Sequence, residues 1–116
     1  MSKTNTVRVL IATLDVGAAR KIAQIFKRAT HAKLIEEFVP GDYKITMAVN
    51  KTQVEKLVND LGYSLIIASP EAINELWPSF LAKFAGGAII YPAVPKGQTV
   101  SESIKKIAHN GKVLEY

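Results

Sequence analysis

The residues able to do chemistry are few and widely spaced in this chain. A hydrolase needs a nucleophile, a base and a set of oxyanion donors. Ser69 sits at a strand-to-helix turn, but the glycines of a nucleophile elbow are missing and Pro70 removes one backbone N–H. Helix capping is the reading its neighbours favour. Glu36 and Glu37 are adjacent, so in a strand they point to opposite faces and cannot work as one acid–base pair. His31 and His109 lie far apart, without a ligand at i+3 or i+4, and there is no cysteine. No catalytic residue, metal site or cofactor is expected; whether the chain is an enzyme is left open, with a non-enzyme the favoured reading.

Binding is the better prospect. Pro92-Ala93-Val94-Pro95-Lys96-Gly97 reads as a stiff polar loop after a strand ending at Tyr91. Its prolines restrict the backbone, so Tyr91, Pro92, Pro95 and Lys96 would be presented at low entropic cost. Trp77, the only tryptophan, is placed near that loop. The second candidate surface is electrostatic. The net charge is +5, yet residues 1–33 hold seven basic groups against Asp15 alone, and the rest of the chain holds eight against nine. Arg20, Lys21, Lys27 and Arg28 fall mostly off the apolar stripe of one helix. Such a face attracts an anionic ligand, a nucleic acid or an acidic protein surface, or simply keeps the chain dissolved. At Ala12-Thr13-Leu14-Asp15-Val16-Gly17, where a phosphate would dock, there is one glycine and a repelling Asp15, so a helix cap is expected.

The elements that must position these groups follow from pattern. Val7–Ala12 is a buried strand, and Asp15 caps a helix from Val16 to about Ala29 with Ile22, Ile25 and Phe26 inward. Residues 32–39 and Tyr43–Val49 are expected to form a hairpin across Pro40-Gly41-Asp42. Asn50 and Gln53 cap a helix lined by Val54, Leu57, Val58 and Leu61, which Gly62 ends. A strand over Tyr63–Ala68 leads to a helix capped by Ser69, with Ile73, Leu76, Trp77, Phe80, Leu81 and Phe84 as its stripe and Pro78 as a kink or restart. Gly86-Gly87 stops it before a strand over Ala88–Tyr91. Thr99 and Glu102 make a capping box for the last helix, and Lys112–Tyr116 forms an edge strand through which a homodimer could pair. The expected fold is a single α/β domain over residues 1–116. It is a three-layer open sheet of four to five mainly parallel strands with helices on both faces, receiver-like or Rossmann-like.

With 116 residues, 48% apolar and 22% charged, the composition is that of an ordinary soluble globular domain. Apolar runs are too short for a membrane span, and Met1–Thr6 carries no secretory pattern, so a cytoplasmic location and no membrane contact are expected.

Three resemblances rest on particular residues. Val9-Leu10-Ile11 leading to Asp15, Leu65-Ile66-Ile67, and Tyr91-Pro92 before a helix resemble a response-regulator receiver domain. The family's phosphoacceptor Asp falls on Ala68 or Ser69 and its Lys on Tyr91, so the resemblance implies sheet order without phosphotransfer. Thr52–Ile107 is similar to the small receiver-like subunit in the central stalk of the vacuolar and archaeal rotary ATPases. The similarity lies in the helix Thr52–Leu61, the strand Tyr63–Ala68, Trp77-Pro78-Ser79-Phe80, Ala88–Tyr91 and Val94-Pro95-Lys96-Gly97. It implies a regulatory role and a protein as partner. In the other half that family's Gly-Asp after the first strand is Thr13-Leu14, and residues 30–49 form an extra segment. Leu57-Val58-Asn59-Asp60-Leu61-Gly62 and the Val94–Gly97 turn also resemble viral ring nucleases that degrade cyclic tetra-adenylate. Their His falls on Asn50, and their Arg and Glu on Ala93 and Lys96, so this likeness implies binding of such a ligand and not its cleavage.

Overall fold

A computed structural model describes residues 6–32, 42–60 and 62–116. The elements in chain order are β1 (Thr6–Ala12), α1 (Val16–Ala32), β2 (Asp42–Ala48), α2 (Lys51–Val58), β3 (Leu65–Ala68), α3 (Pro70–Glu75), α4 (Trp77–Ala85), β4 (Ile89–Val94), α5 (Glu102–Ile107) and β5 (Leu114–Glu115). The strands form one parallel sheet in the order β2-β1-β3-β4-β5. Direction reverses at β1, which has β2 on one side and β3 on the other, as in flavodoxin-like sheets.

Helices cover both faces unevenly. Ala19 and Ile22 of α1 pack with Val9, Ile11, Leu65, Ile67, Tyr91 and Ala93 on one face. Val54 and Val58 of α2, Ile73 of α3, Phe80 of α4, and Ile104 and Ile107 of α5 all join Leu10, Ile66 and Ile90 on the other. Successive strand side chains point to opposite faces, which is why Leu10 and Ile11 belong to different clusters. Among the described residues α1 is the one α-helix whose side chains join that first cluster, and a short 3-10 turn, His109–Gly111, sets the His109 ring against Tyr91 of it.

Local chemistry accounts for most helix starts. Asp15 Oδ2 accepts from the Ala18 amide at 2.9 Å, and Asn50 Oδ1 accepts from the Gln53 amide at 2.9 Å. The Gln53 side chain answers by accepting from the Val49 amide at 3.0 Å. Ser69 Oγ accepts from the Ala72 amide at 3.3 Å, with Pro70 at the first helical position. Pro78 restarts the helix: Leu76 leaves helical geometry (φ −121°, ψ 40°) and α4 begins at Trp77.

Several expectations are corrected. The first arm of the expected hairpin, residues 33–39, lies outside the described residues, and β2 pairs in parallel with β1. The helix from Val16 extends to Ala32, and α2 stops at Val58, where the Asn59 side chain donates to the Glu55 carbonyl. Thr99 makes no box with Glu102, because Ser101 holds the cap position and does so without a side-chain bond. The final strand is shorter than the expected 112–116, running over Leu114–Glu115, with Tyr116 still bonded to Val94 and Lys96.

The strand expected to stop at Tyr91 continues through Pro92 to Val94. The Val94 carbonyl accepts from the Tyr116 amide and the Lys96 amide donates to the Tyr116 carbonyl, so these alternate residues face β5. Pro92, two residues before Val94, turns its nitrogen to that same side, where β5 pairing begins only at Ala93. The missing N–H therefore costs no ladder bond. No described helix is long and apolar enough to cross a membrane.

Candidate functional site

The carboxyl ends of β1, β2 and β3 converge where the strand order reverses. The Thr13 amide donates to the Ala48 carbonyl at 3.0 Å and the Ser69 amide to the Ala12 carbonyl at 3.0 Å, tying the three strand ends together. Thr13 is fully buried; its hydroxyl donates to the Asp15 carbonyl at 2.7 Å and accepts from the Asp15 amide at 3.2 Å. These bonds close the β1–α1 turn, and the Asp15 carboxylate occupies the helix terminus that an anion would need. Ser69 is spent as a cap.

Tyr116 brings a phenol to the same end of the sheet. Burial holds its hydroxyl above its ordinary value of 10.0, with the charges of Glu71 and then Asp15 adding to the effect. The rim at the reversal point is thus acidic and internally bonded, a poor cradle for phosphate.

What the rim does expose is hydrocarbon. Leu14 (41% exposed) and Val16 (47%) flank the β1–α1 turn, and Met47 (46%) lies near the end of β2. Met47 pairs with Ile11, whose side chain belongs to the α1 face, so Met47 points to that face as well. Large side chains so exposed and so close in the fold mark a contact surface more often than isolated ones do.

The sequence-predicted site residues are not brought together as one loop. Tyr91 is buried in β4, its ring meeting His109 edge-on at 5.8 Å, and Pro92 is buried beside Ala68. Pro95 and Lys96 are exposed, with Gly97 at φ 89° supplying the turn. Trp77 packs half-buried against the larger cluster, as Leu57 and Val113 do. Arg20, Lys21 and Lys27 are exposed on α1, whereas the Arg28 side chain lies outside the described residues.

A constellation at the opposite, amino end of the strands escaped the sequence reading. The Arg8 guanidinium lies 4.3 Å from the Tyr63 ring centroid and 3.5 Å from the Asp60 carboxylate. Asp60 Oδ1 also accepts from the Gly62 amide at 2.7 Å, and Lys83 Nζ donates to the Asp60 carbonyl. The Gly62 bond, then the charges of Arg8 and Lys83, hold the Asp60 carboxyl below its ordinary 3.8. An open cleft of about 340 Å³ adjoins it, lined by Asn59, Tyr63, Ser79, Lys83 and Gly87 among others. Since each charge already has a partner, this cluster acts as a clasp between β1, α2 and α4. An arginine inside an apolar strand, Val7-Arg8-Val9, was the one sequence signal for it.

Among the described residues there is no group of three or more metal-ligating side chains, and every buried side-chain nitrogen or oxygen has a hydrogen-bond partner. No family model matches this chain, and neither a curated protein nor a solved structure matches it.

Proposed function

We propose that this chain is a small non-enzymatic regulatory or accessory module of the cytoplasm that binds another protein through the loops at the carboxyl ends of its strands. One observation carries the reading: Leu14, Val16 and Met47 expose apolar surface at that end, while the neighbouring polar groups are engaged internally. The order β2-β1-β3-β4-β5 supports it too, being the order that a receiver-like regulatory domain would have.

The test is affinity capture from the native host with the full chain as bait. Leu14→Glu and Val16→Glu should each lose the partner while leaving the melting temperature nearly unchanged, because both positions are already half in water. Retention of the partner by both variants refutes the assignment of the surface. Failure to capture any protein refutes the reading itself.

A second reading is favoured by the exposed Arg20, Lys21 and Lys27 of α1, which could hold a nucleotide, a cyclic oligonucleotide or a nucleic acid. It predicts a rise in melting temperature with such a ligand that shrinks steeply as salt is added. A melting temperature indifferent to every nucleotide and nucleic acid tried rejects it.

A further inference from the structure

The sequence holds two methionines, Met1 and Met47, and no cysteine. Met1 lies outside the described residues, so Met47 carries the one described sulfur. A methionine usually fills a gap in a core. This one does not. Ile45, two residues before it, and Val49, two residues after it, both pack against the α1-side cluster. Met47 stands between them at 46% exposed, although its ladder partner Ile11 is fully buried.

The place of this thioether bears on binding. The bond from the Thr13 amide to the Ala48 carbonyl, 3.0 Å, sets the β1–α1 turn beside the end of β2. Leu14 follows Thr13 and Met47 precedes Ala48, so both flank that bond. Val16 opens α1 on the face to which Met47 points. Met47 thus belongs to the apolar surface at the strand ends. It is the member whose polarity a mild oxidant can change, since Leu14 and Val16 offer only saturated hydrocarbon.

The geometry points to Met47 as a site of reversible oxidation by a peroxide, whose product switches this surface off. A sulfur lone pair attacks one peroxide oxygen, and the S–O bond forms as the O–O bond breaks. The sulfur loses two electrons and becomes a sulfoxide, while the departing hydroxide takes the proton of the transferred oxygen and leaves as water. The sulfoxide is polar and a strong hydrogen-bond acceptor. A partner that buries it against an apolar surface leaves that oxygen unpaired, so binding should weaken about tenfold or more. The fold should be indifferent, because the side chain is already half in water. The inference rests on reading the chain as a protein-binding module and adds how that binding is regulated.

The test treats the full chain with dilute hydrogen peroxide at neutral pH, and follows Met47 by mass spectrometry of its peptides. In the folded chain Met47 should react at a rate within a few-fold of that in urea, with the melting temperature nearly unchanged. Methionine sulfoxide reductases, one for each epimer, should restore the thioether. The treated chain should leave a hydrophobic-interaction column earlier and lose the protein that the untreated chain captures. Met47→Leu keeps the apolar volume without the sulfur, so its elution and its capture should ignore peroxide even though Met1 is still present. Protection of Met47 in the folded chain overturns the proposal, as does an elution shift equally large in Met47→Leu. Retention of the partner by the oxidised chain, while Leu14→Glu loses it, also overturns the proposal and leaves the protein-binding reading standing. If Leu14→Glu and Val16→Glu both keep the partner, that reading falls, and the rate and elution measurements still decide whether Met47 is the site.

Discussion

Gly62 owes its lack of a side chain to Arg8. A Cβ at position 62 would land on the Arg8 guanidinium, while the backbone there is not in the left-handed region that favours glycine. The obstacle is the far end of a flexible side chain, so Gly62→Ala would push Arg8 aside and not distort the backbone. The guanidinium would then leave the Tyr63 ring, 4.3 Å away, and the Asp60 carboxylate, 3.5 Å away. An exposed cation–π contact contributes about 0.5–1 kcal/mol. The exposed ion pair adds little to that. In the opposite direction, alanine at a compatible site stabilises by about 0.4–1 kcal/mol through a less free unfolded chain. The two nearly cancel, so Gly62→Ala alone should change stability by no more than about 0.5 kcal/mol. In an Arg8→Met background only the Asp60 carboxylate oxygen, 3.1 Å from that Cβ, stays close and must give slightly, and the same change should stabilise by at most about 0.4–1 kcal/mol. Urea unfolding of the four chains of this cycle gives the coupling, expected at about 0.5–1 kcal/mol. An effect of Gly62→Ala that is equal in both backgrounds refutes the argument, for it would mean that Arg8 does not set the requirement for glycine.

Two further outcomes test the same framework. Asp60 is held below 3.8 in the folded chain, first by the Gly62 amide and then by Arg8 and Lys83. The folded state thus binds its proton less readily than the unfolded chain does. The resulting stability is fully present above 3.8 and is lost as the pH falls through the folded value. Asp60→Asn should make urea midpoints fall less steeply on acidification, and an unchanged slope contradicts the clasp. Phe80 is fully buried between α4 and the sheet, and Phe80→Ala should cost about 3–5 kcal/mol. A thermal unfolding curve that barely moves would show that the α2–α5 face is not the close-packed core described.

Features decided within one turn of chain were legible in the sequence. The caps at Asp15, Asn50 and Ser69 depend on residues three positions apart, and the β1 and β3 strands on short apolar runs. Features decided by distant partners were not. Whether Pro92 ends a strand depends on where β5 begins to pair, some twenty residues later in a different element. The Arg8–Asp60–Tyr63–Lys83 clasp unites positions spread over most of the chain, so no spacing rule reveals it. Helix α4 shows a subtler failure. Its apolar pattern suggested one inward stripe, yet Phe80 is buried while Leu81 and Phe84 are 44% and 43% exposed. Periodicity identifies apolar residues on a helix but does not reveal how wide a face the neighbouring elements cover.

The charge imbalance is the case in which sequence and topology combine into something neither shows alone. A basic first third would mean little if its elements were scattered through the fold. The order β2-β1-β3-β4-β5 keeps them together, because β1, α1 and β2 occupy one end of the sheet. Glu71 and Glu75 of α3, Glu102 of α5 and Glu115 of β5 lie with the strands at the other end, but so do Lys96, Lys105, Lys106 and Lys112. Position along the chain is thereby converted into position across the sheet: the excess positive charge stands at the β1–β2 end, while acidic and basic groups nearly balance at the other. A field of this kind orients an approaching anionic partner before any contact forms.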